Sequence, residues 1–166
     1  MNHIACFIGH RTIPESQEMK QKIYNTIEKL VSAKQVDTFY FGSKSRFNSL
    51  CYEQVTKLKE KYPHIKRIYL RAEYPVISQE YETYLLSQYE GTEFPKCVLG
   101  AGKASYIKRN VEMVNRSDIC IVYYKEALAS PSRKSGTKLA LDYAVKKQKQ
   151  VINLAEKPKT PRKKSL

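Results

Sequence analysis

The chain has 166 residues, 42% hydrophobic and 28% charged, a balance that fits one globular domain with a single core. Its formal net charge of +14 disfavours cationic partners and favours anions: nucleotides, nucleic acid or acidic lipid. No apolar run reaches the roughly 18 residues of a membrane span and no secretory pattern opens the chain, so a cytoplasmic protein with no membrane association is expected.

In chain order the segments alternate between two periods. "IACFI", residues 4–8, reads as a buried strand. Met19, Ile23, Ile27, Leu30 and Val31 then repeat at helical spacing. "TFYFG", 38–42, is a second strand ending in glycine, and Phe47, Leu50, Cys51, Val55 and Leu58 mark a helix that stops before Pro63. "IKRIYL", 65–70, is a third strand. The Tyr- and Glu-rich stretch 72–95 has the weakest pattern, with a short helix expected around 79–88. "KCVLG", 96–100, suggests a short fourth strand, followed by a helical stripe of Ile107, Val111 and Val114. "DICIVYY", 118–124, is the clearest buried strand; a helix over 135–147 and a last strand, "QVINLA", 150–155, follow. Residues 1–155 thus form one domain. The tail 156–166 carries +4 of the net charge and has the Pro- and Lys-rich composition of a disordered segment, leaving +10 on the body. The four cysteines are widely spaced, without CxxC or metal-ligand spacing, and read as small core residues in a reducing compartment.

Continuous apolar strands alternating with helices predict a parallel sheet covered on both faces: an α/β, three-layer Rossmann-like fold of five to six strands. In such a sheet the carboxyl ends of the strands share one edge, where ligands bind. Four loops then converge: "GHR", 9–11; "GSKSR", 42–46; "GAGK", 100–103; and "SPSRKSGT", 130–137. Each supplies glycine or a helix N-terminus and a cation or hydroxyl, the chemistry of a phosphate site. The candidate ligand-binding residues on these loops are Gly9, His10, Arg11, Gly42, Ser43, Lys44, Ser135, Gly136 and Thr137. Each has a plainer alternative. His10 could bond a backbone carbonyl, Arg11 could form a surface ion pair, and Ser135 or Thr137 could simply cap a helix. "GAGKAS" is not a P-loop, because that motif needs glycine at Cys97 and a hydroxyl at Ala104. No metal or resident cofactor is expected.

Taken together, "CFIGHR", "VDTFYFGSKSRFNSL", "LKEKYPHI", "RNVEMVNRSDICIVYY" and "SGTKLALDYAVKKQKQVINL" resemble the SLOG superfamily over residues 3–155, and within it the small bacterial GHR-containing branch. The resemblance implies a Rossmannoid fold and a nucleotide-like ligand on the carboxyl edge of the sheet. It also implies kinship with lonely-guy phosphoribohydrolases, DNA-processing protein A and nucleotide-signal sensors. Helix-mediated homodimers occur in such proteins. Arg109 and Met113 match the lonely-guy Arg and Met, and Ser135, Gly136 and Thr137 stand at its glycine turn. The catalytic glutamate position, however, is Ala140, which can neither position water nor stabilise an oxocarbenium ion. Asp142 lies about 200° further round the helix and cannot replace it. Members of that branch also carry a further glycine and an aspartate in the second-strand loop, where this chain has Ser45 and Asn48, so the resemblance adds Arg109 and Asn48 to the candidate ligand-binding residues.

The leading expectation is therefore a binding or sensing protein for an anionic, nucleotide-derived small molecule, without lonely-guy hydrolysis. Two alternatives remain. One is a single-stranded nucleic-acid binder using the basic surface and tail. The other is a nucleotide or nucleoside hydrolase with Glu112, Glu126 or Asp142 as base.

Overall fold

A computed structural model describes residues 3–128 and 135–155. The tail, and residues 130–134 of the loop before the last helix, lie outside the described residues. Six strands form one sheet: β1 (His3–Gly9), β2 (Val36–Phe41), β3 (Lys66–Leu70), β4 (Gly91–Glu93), β5 (Ile119–Tyr123) and β6 (Gln150–Asn153). Every pairing is parallel and the spatial order is β4-β3-β2-β1-β5-β6. The chain winds outward from β1 to β4, then returns to the other side of β1 with β5. That reversal puts a topological switch point between the carboxyl ends of β1 and β5, the position at which such sheets bind ligands.

The three-layer expectation holds, and alternation along the strands explains it. Ala5 and Phe7 face one side with Phe39, Phe41 and Ile121. There they meet Ile23, Ile27, Leu30 and Val31 of α1 (Gln17–Lys34) and Phe47, Leu50, Val55 and Leu58 of α2 (Arg46–Lys61). Cys6, Ile8, Tyr40, Cys120 and Val122 face the other side, against Met113 and Val114 of α4 (Ser105–Arg116) and Ala140 and Ala144 of α5 (Gly136–Lys146). A strand buried on both faces must be apolar throughout, which is why β1 and β5 read so clearly. The short helix expected at 79–88 is α3 (Gln79–Gln88), capped by Ser78.

Three expectations need correction. The fourth strand is not 96–100 but Gly91–Glu93; Lys96–Val98 is a single 3-10 turn. The residues of β4 carry no apolar signal because an edge strand this short contributes mostly backbone pairing to β3. "GAGK" therefore follows no strand. Gly100 and Gly102 have φ of +73° and +56° and turn the chain between two 3-10 segments. The buried face of α4 is also rotated from the expected stripe. Arg109, Met113 and Val114 point inward, while Ile107 is exposed. Finally, Cys97 is exposed, whereas Cys6, Cys51 and Cys120 are buried as expected.

Candidate functional site

The carboxyl edge of the sheet gathers most of the candidate residues, each through a local cause. β1 ends at Gly9, paired in register with Tyr123 of β5. A Cβ on Gly9 would lie 2.3 Å from Cδ1 of Phe47, so the glycine makes room for that ring. Its strand-end role is packing, and the backbone approach assigned to a ligand is taken on that side by Phe47.

His10 spans the switch point. Its amide donates to the Tyr123 carbonyl at 3.2 Å, and the Lys125 amide donates to its Nε2 at 2.9 Å. The same nitrogen lies 3.3 Å from the Lys125 carbonyl. Accepting from an amide requires an unprotonated Nε2. Burial lowers the imidazole pKa below its ordinary value, against the raising effect of the Lys125 backbone contact. Nδ1 then carries the proton. His10 is thus occupied in tying the β1 exit to the β5 exit, the plainer of its two readings. Arg11 is exposed; its carbonyl accepts from the Arg46 amide at 2.8 Å, and its guanidinium has no ion pair among the described residues.

After β2, the backbone of Gly42 is covered by α4. A Cβ there would lie 2.8 Å from both Cδ of Arg109 and Sδ of Met113. Gly42 therefore exists to admit Arg109. Ser43 Oγ accepts from the Ser45 amide at 2.9 Å, and Ser45 in turn caps α2 through the Asn48 amide at 3.1 Å. Asn48 does not open onto the crevice as the sequence suggested. It is buried, with Nδ2 donating to the Phe7 carbonyl at 3.1 Å, and its Oδ1 has no partner among the described residues. It locks α2 to β1.

Arg109 is the centre of the edge. The residue is only 4% exposed, yet no carboxylate lies within ion-pair distance among the described residues. Its Nε donates to Asn110 Oδ1 at 3.3 Å, and its guanidinium carbon lies 5.4 Å from the centre of the Tyr106 ring. Burial pulls its pKa down; Tyr69, Tyr106 and Glu73 partly offset this. An arginine stays protonated regardless, so this is a buried cation with no ion-pair partner among the described residues. Asn110 continues the wall: its Nδ2 lies 3.8 Å from the Cβ position of Gly136, the first residue of α5. Ser135 caps that helix by accepting from the Lys138 amide at 3.1 Å, and Thr137 is buried in its first turn. The first residue of α5 thus approaches Arg109 through Asn110, and the helix N-terminus brings partial positive charge to this edge.

One participant escaped the sequence reading. Glu73, in the loop after β3, accepts from the Tyr106 hydroxyl at 2.8 Å and pairs with Lys44 at 3.7 Å. Nothing in "RAEYP" signals this, because the placement depends on how the loop meets α4.

The bases considered for hydrolysis are placed elsewhere. Glu112 pairs with Arg116 at 2.9 Å and Asp142 with Lys138 at 3.0 Å. Glu126 sits in an exposed 3-10 turn. Ala140 is 1% exposed, within the core against Ile8 and Met113. Tyr89 stacks on Tyr69 and lies tilted against Tyr52 and Phe41, which is packing. An open groove of about 760 Å³ lies instead at the β4 edge, between Arg71, Glu93, Cys97 and Arg116. Its arginines are engaged: Arg116 with Glu93 and Glu112, and Arg71 with Thr92 and the Tyr74 carbonyl. Both groove arginines have side-chain or carbonyl partners, whereas Arg109 has no carboxylate partner among the described residues. Among the described residues no cluster of His, Cys, Asp and Glu could hold a metal, and no helix is long and apolar enough to cross a membrane.

Comparison with known proteins gives no matching family model and no matching curated relative.

Proposed function

We propose that the protein binds an anionic, nucleotide-derived small molecule at the carboxyl edge of its sheet. One observation carries this: Arg109 is buried with no carboxylate in ion-pair distance among the described residues, and its hydrogen-bond partner Asn110 reaches the first residue of α5. Burying an unpaired charge costs several kcal/mol, and a protein keeps such a group where a partner repays it. A phosphate on Arg109 and the first N–H groups of α5 would do so. Gly136 leaves the helix start without a side chain, and Lys44 and Arg11, in the loops after β2 and β1, add positive charge to the same edge of the sheet. The SLOG resemblance points the same way, and Ala140 favours holding the ligand over cleaving it.

The test is a thermal-shift screen of nucleoside mono- and diphosphates, cyclic nucleotides and sugar phosphates. A true ligand at 100 times its Kd adds about 2.7 kcal/mol of stability, a rise of several degrees. A screen in which no compound raises the melting temperature overturns the reading.

A further inference from the structure

Glu73 is a misplaced charge for a plain anion site. A carboxylate beside the group that receives a phosphate would repel it, and nothing in the sheet requires an acid there: Glu73 lies in an exposed loop. Yet two groups contact it. Tyr106, one turn before Arg109 on α4, donates to Oε1 at 2.8 Å, and Lys44 approaches the same oxygen at 3.7 Å. The other oxygen, Oε2, has no hydrogen-bond partner among the described residues. The Tyr106 ring also lies against the Arg109 guanidinium, so one phenol holds the anion-receiving cation on its face and the carboxylate at its tip. The site therefore has two poles of opposite sign joined by one rigid side chain.

A ligand that satisfies both poles carries an anion at one end and hydrogen-bond donors at the other. A ribose phosphate has this polarity: phosphate for Arg109, and vicinal hydroxyls that donate to a carboxylate. A base alone, inorganic phosphate or a deoxygenated sugar phosphate lacks one half.

We propose that Glu73, held by Tyr106 and Lys44, is a specificity-determining residue that selects ligands with free ribose hydroxyls. The proposal rests on the anion site at Arg109 and adds the second half of the ligand.

The experiment titrates the protein calorimetrically with the four ribonucleoside 5′-monophosphates and their 2′,3′-dideoxy counterparts, then repeats this with Glu73→Ala and Glu73→Gln. The expected result is that the best ribonucleotide binds at least about tenfold more tightly than its dideoxy form, the worth of a hydrogen bond to a charged group. That ratio should fall toward one in Glu73→Ala, with Glu73→Gln between. Dideoxy binding should be unchanged or tighter in both variants, because a repulsive charge is removed. If ribo and dideoxy forms bind the native protein equally, or if the ratio survives in Glu73→Ala, the role of Glu73 is overturned and the anion site stands. If neither form binds at all, both are overturned.

Discussion

At the scale of single residues, the edge of the sheet is built by exclusion. Gly42 is small so that Arg109 and Met113 can cross it, and Gly9 is small so that Phe47 can. The glycines were visible in the sequence as strand ends, but their reasons were not, because each depends on a side chain from a distant helix. Arg109 was visible as a motif match; its burial without an acid was not. That burial makes a sharp prediction. Arg109→Met keeps the length and apolar stem of the side chain and removes an uncompensated charge, so the ligand-free protein should melt at the same temperature or higher. The same variant should lose any nucleotide-induced shift. A drop of several degrees without ligand would show that the guanidinium holds the fold together. His10 gives a second test. Its folded pKa lies below the ordinary 6.5 because its ring is partly buried, so the unfolded chain binds the proton more readily. Stability from this group is present above 6.5 and is lost as pH falls through that value toward the lowered one. An NMR titration should place His10 below 6.5, with the Lys125 amide resonance moving at the same midpoint. A midpoint at or above 6.5 contradicts the acceptor role of Nε2.

At the scale of elements, legibility followed burial. β1 and β5 are covered on both faces and announce themselves as apolar runs; α1 and α2 each show a full buried stripe. β4 shows nothing because "GTE" is an edge of three residues, and the apolar "KCVLG" beside it drew the strand assignment away. α4 misled for a different reason: one of its inward positions is an arginine, so a search for apolar spacing rotated the helix onto Ile107. The β3–β4 edge also depends on charge. The Glu90 carboxylate accepts from the Arg67 amide at 2.7 Å and from its guanidinium at 2.8 and 3.0 Å, with Lys59 at 3.3 Å. Burial alone would raise its pKa, but these contacts win and hold it at about 2. A depressed carboxylate contributes stability above its unfolded pKa that disappears as pH falls through the folded one. Denaturation series should therefore show stability falling as the pH drops from about 4.5 to about 2. In Glu90→Gln the fall should be shallower, from a lower value at neutral pH. Identical acid profiles for the two proteins would remove Glu90 from the account.

At the scale of the whole molecule, two features act on anions over different ranges. The winding order concentrates one deep, uncompensated cation at the carboxyl edge. The net charge of +14, of which +10 belongs to residues 1–155, surrounds the entire body with a positive field. A field of this kind attracts single-stranded nucleic acid without reading it, and counterion release makes such binding fall steeply with salt. Arg109 is 4% exposed, so a polymer backbone running over surface lysines would not contact it, whereas the proposed small phosphate would. The two activities should therefore separate. Oligothymidylate binding should weaken strongly between about 50 and 200 mM salt, and should be the same in Arg109→Met as in the native protein at every salt concentration. Removing residues 156–166 takes away +4 and should lower both affinity and salt slope, while leaving nucleotide-induced stabilisation intact. If Arg109→Met instead abolishes oligonucleotide binding at fixed salt, the buried cation is reading a polymer phosphate. The crevice would then belong to nucleic acid, and the small-molecule assignment would give way to it.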